Sequence, residues 1–581
     1  MSSLKRLIPY CLRYRRKFLV GFLFVLLTNV VTVLSPKILG MAVDSLQENF
    51  SSDLLLRYAG IIVGIAIAGG IFRFSMRQVL IGLSRHIEYN LRNDFFAHMQ
   101  ELHPAYYDKH KTGDLMSRAT NDLNAVRNVL GPGIMYSVNT TFLFTLAITS
   151  MCLVHIPLTL LALLPFSALS ILVMKYGNRI HKAFERIQAQ MSAISAKAQE
   201  NLSGIRVVKA YVREAEEIKH FDEINSEYVE RNRTLIKLWA VFYPMMQLVG
   251  GLGVLIILLV GGNLVINNTI TLGDFVAFNG YLTMLLWPMI ALGWVINVFQ
   301  RGAASMGRLN AILDEEPAIR DADAPVDVPI LNGHITIRDL TFTYPGADAP
   351  VLHDISLDIP AGSTLAVVGP TGSGKTTLVN LIPRLYDPPH GTVCIDGHPI
   401  QDIPLNTLRG NIGLVPQETF LFSDSIASNI AYGAGEAEED QVQQAAITAQ
   451  LHHNIEEFPH QYDTMLGERG INLSGGQKQR LAISRAVILE PPIFIMDDAL
   501  SSVDTYTEEE ILKRLAHVME SRTTIIVSHR ISTIQHADHI IVLDEGRIVE
   551  QGRHDDLQQQ DGLYASIHQK QLLEEELAEA E

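Results

Sequence analysis

Hydrophobic positions are distributed in two different ways along this chain. Over roughly the first 300 residues they come in long runs. Phe18 to Pro36 is almost wholly apolar, about the ~20 residues needed to cross ~30 Å of hydrocarbon. Five further spans follow with softer edges, at 54–79, 134–155, 157–177, 239–264 and 275–298. The segments between them, 80–133 and 178–238, are rich in Lys, Arg, Asp and Glu and too polar for lipid. Within these, Ser84 to Glu101 and Ile180 to Asn201 carry apolar positions at helical spacing with charged faces. They read as membrane helices prolonged into the cytoplasm, turning at Thr112–Arg118 and at Tyr211–Ala215.

Past the spans the pattern shortens. Asp314 to Pro329 is acidic and contains Pro317, Pro325 and Pro329, as a linker would. From Ile335 short apolar runs alternate with glycine turns and helical stretches, which predicts an α/β core on a parallel sheet. The expected division is a six-span α-helical membrane domain over 1–313, a linker over 314–332 and an α/β P-loop domain over 333–570. Residues 571–581 then form an acidic tail, frayed from Glu574 to Glu581.

Charge orients the first half. Residues 1–17 hold six basic side chains, Lys5, Arg6, Arg13, Arg15, Arg16 and Lys17, and no acid, which places the N-terminus in the cytoplasm. Residues 1–12 read as an amphipathic elbow on the inner surface. Gln47–Asp53, His155–Pro157 and Gly262–Asp274 carry no Lys or Arg and suit outward turns. Six spans with both termini cytoplasmic satisfy every loop, and no cleavable signal peptide is expected. A formal charge of −16 argues against a nucleic-acid partner. Cys11, Cys152 and Cys394 have no metal or redox spacing, and the 20 histidines form no zinc motif.

Within the spans, Arg73 and Arg77 lie four apart on one helical face, about 28 Å along the second span at 1.5 Å per residue. Either they snorkel to the inner surface, or they line a cavity and meet an anionic substrate. Asn29, Asn139, Tyr243, Gln247, Asn279, Trp287 and Asn297 are candidates for a polar pathway or for hydrogen bonds between helices.

The densest chemistry is Gly369-Pro370-Thr371-Gly372-Ser373-Gly374-Lys375-Thr376-Thr377. An apolar strand, Thr364–Val368, precedes it and a helix beginning Leu378–Ile382 follows, the context a phosphate-binding P-loop requires. Glycines let backbone N–H groups turn toward a triphosphate, Lys375 reaches its outer phosphates, and Thr376 ligates Mg²⁺. The chain therefore binds ATP or GTP. Ile493–Asp497 is an apolar strand ending in a carboxylate suited to Mg²⁺. Leu473-Ser474-Gly475-Gly476-Gln477 opens a helix whose free amides make a second anion site. Tyr344, Gln417 and His529 are placed for a base, the metal or its water, and a γ-phosphate; taken singly, each carries little weight.

Together the six spans, the P-loop, Gln417, the LSGGQ run, Asp497, Ser501-Ser502-Val503-Asp504 and His529 resemble the ATP-binding-cassette exporter half-transporters over essentially the whole chain. Among these the chain is most similar to bacterial multidrug-resistance-like subunits that work as heterodimers. The resemblance implies that Tyr344 stacks on adenine and Gly369 to Thr377 hold the phosphates. It gives Thr376, Gln417 and Asp497 to Mg²⁺ and makes His529 the switch histidine. Ser474, Gly475, Gly476 and Gln477 would act on ATP bound by a second half-transporter, and Asp504 would cross that interface. Glu468 and tips near 112–121 and 210–218 would touch or form the coupling elements.

One position departs from the family pattern. The residue after Asp497 is normally Glu, the base that aligns water, and here it is Asp498. A carboxylate withdrawn by somewhat over ~1 Å costs up to ~10² in rate. The chain's own site should bind ATP and hydrolyse it slowly, while its intact signature completes a site on a Glu-bearing partner. The expected function is ATP-driven export of a hydrophobic or amphipathic substrate (drug-like, lipid or peptide) across the cell inner membrane. A homodimeric lipid flippase and an ATP-gated channel or regulatory module remain as alternatives.

Overall fold

A computed structural model describes residues 2–48, 51–326, 328, 330–467, 470–503 and 505–580. The chain divides into two compact units, the first formed by Met1–Gln100 with Thr112–Glu315, the second by Glu101–Lys111 with Glu316–Glu581.

The first unit is helical. Among the described residues five helices are long and apolar enough to cross a membrane: Arg15–Gln47, Ser52–Glu101, Thr112–Val154, Glu214–Ile266 and Leu272–Leu313. The remaining expected span, 157–177, falls in the 48-residue helix Ile156–Ser203. Its apolar part is described over Ile156–Phe166, and the side chains of 167–171, 173 and 174 lie outside the described residues. Large apolar side chains such as Leu56 and Phe74 point outward from Ser52–Glu101, as a hydrocarbon solvent permits. Small residues permit one close crossing: a Cβ on Gly40 would sit 2.4 Å from the Gly273 carbonyl oxygen, and one on Gly273 2.1 Å from that of Gly40. Pro132 lies in a π-helical turn, Val129–Gly133, which absorbs its missing N–H without ending the helix.

Charges on the polar extensions are matched. Glu88 is buried and meets Arg92 at 2.7 Å, Arg85 at 3.1 Å and Arg127 at 3.5 Å. Asp122 accepts from Arg308 at 2.8 Å. Burial pushes the Asp122 pKa upward, but the hydrogen bonds from Arg308 and Ser305 outweigh it and leave the group below the usual carboxylate range.

The internal turns differ in one place from the expectation. The first tip is the short helix Pro104–Lys109, with Pro104 in its first turn, where a missing N–H needs no partner. Thr112, expected at the tip, instead starts the next long helix, and Gly113 sits inside that helix. The second tip matches more closely. Ile205–Ala210 is a short helix, followed by a turn in which Val212 takes φ +53°.

In the second unit, β1 (Ile335–Phe342), β2 (Leu352–Ile359), β4 (Val393–Ile395) and β5 (His398–Pro399) form an antiparallel sheet in the order β2-β1-β4-β5. A six-stranded sheet is built from β3 (Thr364–Val368), β6 (Ile412–Val415), β7 (Ile493–Asp497), β8 (Thr523–Val527), β9 (His539–Asp544) and β10 (Arg547–Gly552). Its order is β10-β9-β3-β8-β7-β6, parallel except for β10. Alternation along β3 divides the core: Leu365 and Val367 join the cluster shared with the antiparallel sheet, Ala366 and Val368 the cluster on the opposite face. Burial on both faces explains why these strands read as unbroken apolar runs.

Linker residues are tied to this unit. The Arg320 carbonyl accepts from Arg384 at 3.0 Å, and the Asp321 carboxylate accepts from the Leu405 N–H at 2.7 Å. Where a frayed end was expected, Leu563–Ala580 is helical, with the side chains of 574–580 outside the described residues. No Gly or Pro interrupts that stretch, and its Leu, Ala, Glu and Gln residues favour a helix.

Candidate nucleotide site

β3 delivers the chain into a loop that only glycine can follow at two points. Gly369 takes φ +152°, and a Cβ there would lie 2.0 Å from the Leu543 carbonyl oxygen; Gly374 takes φ +100°, with Leu352 at 2.7 Å. The helix Lys375–Leu381 starts directly after Gly374, with no side-chain cap on its first amides. The Ser373 hydroxyl is buried without a hydrogen-bond partner. Free donors gathered in a glycine loop fit an anionic group with several acceptor oxygens.

Lys375 is 6 % exposed, and its ammonium donates to the carbonyls of Gly369 and Pro370, both at 2.8 Å. Burial pushes its pKa down, against the opposing pull of Asp497 and Asp498. A cavity of about 270 Å³ opens beside it, lined by Thr371, Gly372, Gly374 to Thr377, Gln417, Asp497, Asp498 and His529, with Val351 and Val527. Asp497 closes β7 at 3 % exposure. Burial raises its pKa and the Asp498 charge adds to that, while a hydrogen bond from Thr376 and the charges of Lys375 and His529 pull the other way. Asp498 follows with φ +50°, its N–H held by the Val527 carbonyl at 2.9 Å.

The cavity thus brings together most residues that the sequence singled out from separate segments. Tyr344 is beside it rather than in its lining. Its hydroxyl shares a 2.9 Å hydrogen bond with that of Thr377, and its ring packs edge-on against Tyr386 at 4.9 Å between centroids. Ser474, Gly475, Gly476 and Gln477 do not line the cavity either. They begin the helix Gly475–Val487 through a reciprocal cap: Ser474 N–H donates to the Gln477 side chain at 2.9 Å, and the Ser474 hydroxyl accepts from Gln477 N–H at 3.3 Å. Asp504 and Glu468 lie outside the described residues.

Three residues that sequence reasoning passed over complete the surroundings. Buried Gln479 donates to the Ser501 hydroxyl and accepts from the Ser502 N–H, both at 2.9 Å, joining the signature helix to the segment after Asp498. Tyr386 donates to Asp108 at 2.7 Å, linking the helix Pro104–Lys109 to the ring that touches Tyr344. An i+4 spacing from Gly475 hinted at Gln479 as part of the same helical face; nothing local marks Tyr386 or Asp108.

With this geometry in place, comparison with known proteins is direct. Residues 18–289 match the ABC transporter transmembrane region, and residues 352–501 match the ABC transporter domain. The chain is 38 % identical over 574 residues to a probable multidrug resistance ABC transporter ATP-binding/permease protein, YheI, of Bacillus subtilis, covering 98 % of each. It is 35 % identical to the multidrug resistance-like ATP-binding protein MdlA of Escherichia coli, over 98 % of this chain and 97 % of that protein. An ATP-dependent lipid A-core flippase of Syntrophus aciditrophicus is also 35 % identical, over 100 % of this chain and 96 % of that one. Among solved structures, a bacterial Atm1-family ABC exporter with ATP bound superposes with a TM-score of 0.79 at 30 % identity, covering 96 % of this chain and 99 % of that one. The helical unit with its apolar spans and the P-loop unit with its nucleotide cavity are therefore the two halves of one architecture, and the chain belongs to the ABC transporter family as a multi-pass, ATP-hydrolysing exporter subunit.

Proposed function

We propose that this exporter works as one subunit of a heterodimer and moves a hydrophobic or amphipathic substrate out across the cell inner membrane by alternating access. The observation that carries the reading is the convergence of Lys375, Thr376, Gln417, Asp497, Asp498 and His529 on one cavity. Residues 1–313 are the membrane domain, 314–332 the linker, 333–570 the cassette and 571–581 the tail, with both termini cytoplasmic.

ATP is the substrate of the cavity. Lys375 exchanges its carbonyl acceptors for phosphate oxygens, the loop amides between Gly369 and Thr377 hold the remainder, and Tyr344 gives up Thr377 to stack on adenine. Magnesium, when bound, neutralises charge on the phosphate oxygens. The Thr376 hydroxyl, Gln417 amide and Asp497 carboxylate are the oxygen donors a hard cation takes, and Thr376 already bonds Asp497. Asp498 accepts the proton of the attacking water. The new oxygen–phosphorus bond forms as the bond to ADP breaks, and its electron pair leaves on the ADP β-phosphate, near which His529 and Lys375 balance charge.

Asp498 is one methylene shorter than the Glu usual in this family, so hydrolysis here is slow. Ser474 to Gln477 and Asp504 serve ATP held by the partner, whose Glu sets the faster rate. ATP favours the closed pair of cassettes, and that difference in binding is what switches the spans.

Lys375→Ala is the test. Nucleotide binding at this site should fall at least about tenfold, and uphill transport in sealed vesicles should fall with it. Unaltered binding would refute the assignment. Similarity to a lipid A-core flippase favours a second reading, a homodimeric lipid flippase. Mass determination of the chain purified alone separates the two, since a stable, fully active homodimer removes the heterodimer.

A further inference from the structure

The helical unit contains a second cavity, also about 270 Å³, bounded by four of its long helices. Arg15–Glu48 contributes Thr28, Asn29 and Thr32; Ser52–Glu101 contributes Arg73, Met76 and Arg77. Thr112–Val154 adds Tyr136 and Asn139 among others, and Leu272–Leu313 adds Trp287. No carboxylate is among its lining residues.

Its two arginines stand apart from others in the same unit. Arg85, Arg92 and Arg127 surround Glu88, and Arg308 holds Asp122. Arg73 and Arg77 have neither a hydrogen bond nor an ion pair among the described residues, although they share one face a single turn apart, where like charges repel. Both side chains are exposed, as snorkelling arginines also are. What distinguishes them from a lipid-facing pair is the recess they line together with residues of three other helices, among them Asn29, which is 2 % exposed. Asn29 donates to the Val25 carbonyl at 2.8 Å and to the Asn139 side-chain oxygen at 3.0 Å. Asn139 itself lines the recess. Met76 and Trp287 supply apolar surface beside them.

We infer that this recess binds the anionic headgroup of an amphiphilic substrate, a phosphate or carboxylate held by the Arg73 and Arg77 forks. Guanidinium forks match the paired oxygens of such groups. At about 270 Å³ the cavity holds a headgroup and the first carbons of a tail; it is smaller than the ~300–1,000 Å³ of pockets enclosing a whole drug-sized ligand. The rest of the tail lies outside it, along the exposed apolar faces. The inference rests on the exporter reading and adds to it the charge of what is carried.

The experiment uses the full chain, in the assembly in which it purifies, reconstituted in phosphatidylcholine vesicles. Dodecyl phosphate and dodecyltrimethylammonium, equal in tail and opposite in charge, are compared for stimulation of ATPase activity and for uphill transport. Dodecyl phosphate should act at a half-maximal concentration at least about tenfold lower than its cationic analogue. The double variant Arg73→Gln/Arg77→Gln should raise that concentration at least about tenfold, the scale of one charge-assisted contact. Arg73→Lys/Arg77→Lys, which keeps the charge and loses the forks, should fall between. A second set of vesicles containing phosphatidylglycerol separates the sources of the headgroup. Competition by that lipid against dodecyl phosphate assigns the recess to a bilayer lipid, and its absence to a soluble amphiphile. Equal potency of the two dodecyl probes, or an unmoved half-maximal concentration in a Gln variant that still binds ATP, would overturn the inference while leaving ATP-driven export intact. Loss of uphill transport for every probe in the unmodified assembly would instead refute the exporter reading.

Discussion

Restoring Glu at position 498 is the sharpest test of how this site turns over. Asp498→Glu inserts one methylene and carries the carboxylate somewhat over ~1 Å further into the cavity that Lys375, Gln417 and His529 share. Misplacement on that scale costs up to ~10² in rate, or about 2.7 kcal/mol of barrier at ~1.36 kcal/mol per decade. The backbone limits the gain. Residue 498 sits at φ +50°, anchored by the Val527 carbonyl at 2.9 Å, a conformation that Asp tolerates better than Glu. The variant should therefore lose up to about 1 kcal/mol of cassette stability, on the scale of left-handed backbone strain, while gaining hydrolysis. Single-turnover release of phosphate, with ATP stoichiometric to sites, isolates the chemical step from product release. The expected result is a rise of one to two decades for Asp498→Glu and a fall below the unmodified rate for Asp498→Asn. Equal single-turnover rates for Asp and Glu, with nucleotide binding preserved, would refute the claim that carboxylate reach limits this site.

Two further outcomes are expected. Tyr386→Phe keeps the ring against Tyr344 but removes the 2.7 Å hydrogen bond to Asp108; ATPase activity should persist while transport per ATP falls, and unchanged coupling ratios would show the link idle. Burial, reinforced by Asp498, holds the Asp497 pKa above the ordinary carboxylate value. Protons therefore compete with the metal at unusually mild acidity: as pH falls through that raised pKa, nucleotide affinity measured with Mg²⁺ should drop more than affinity measured with EDTA, and parallel curves would count against Asp497 as a metal ligand.

Legibility in the sequence followed the range of the interaction concerned. The P-loop was readable because its constraints are local: a φ of +100° at Gly374 and a carbonyl 2.0 Å from a Cβ at Gly369 each demand glycine at one position. The parallel strands were readable because burial on both faces removes polar residues from them. Where residues act through distant partners, the pattern was silent. Asp108 and Tyr386 are 278 positions apart, and an Asp in a short polar helix looks like any solvated charge. The first turn between long helices was placed late for a related reason. Thr112-Gly113-Asp114 carries turn residues, yet Pro104 at a helix start decides the geometry, since proline costs nothing where an amide has no partner.

The same distinction bears on the proposal that the signature residues serve a second cassette rather than this one. Ser474 and Gly475 are exposed, and their cap is closed by Gln477 alone. A Cβ on Gly476 would come within 3.0 Å of the Ser502 carbonyl oxygen, so the loop after Asp498 and the start of the signature helix are closely packed as one surface. Gln479 reinforces that surface from beneath through both Ser501 and Ser502. A change at Asp498 that shifts this loop therefore reaches Ser474 through backbone and buried amide contacts. Any defect in the chain's own P-loop site and any benefit it lends a partner are then mechanically joined. On the proposed reading, slow hydrolysis at Asp498 would hold this surface in its nucleotide-bound arrangement for longer, and a partner with a faster site would use that persistence.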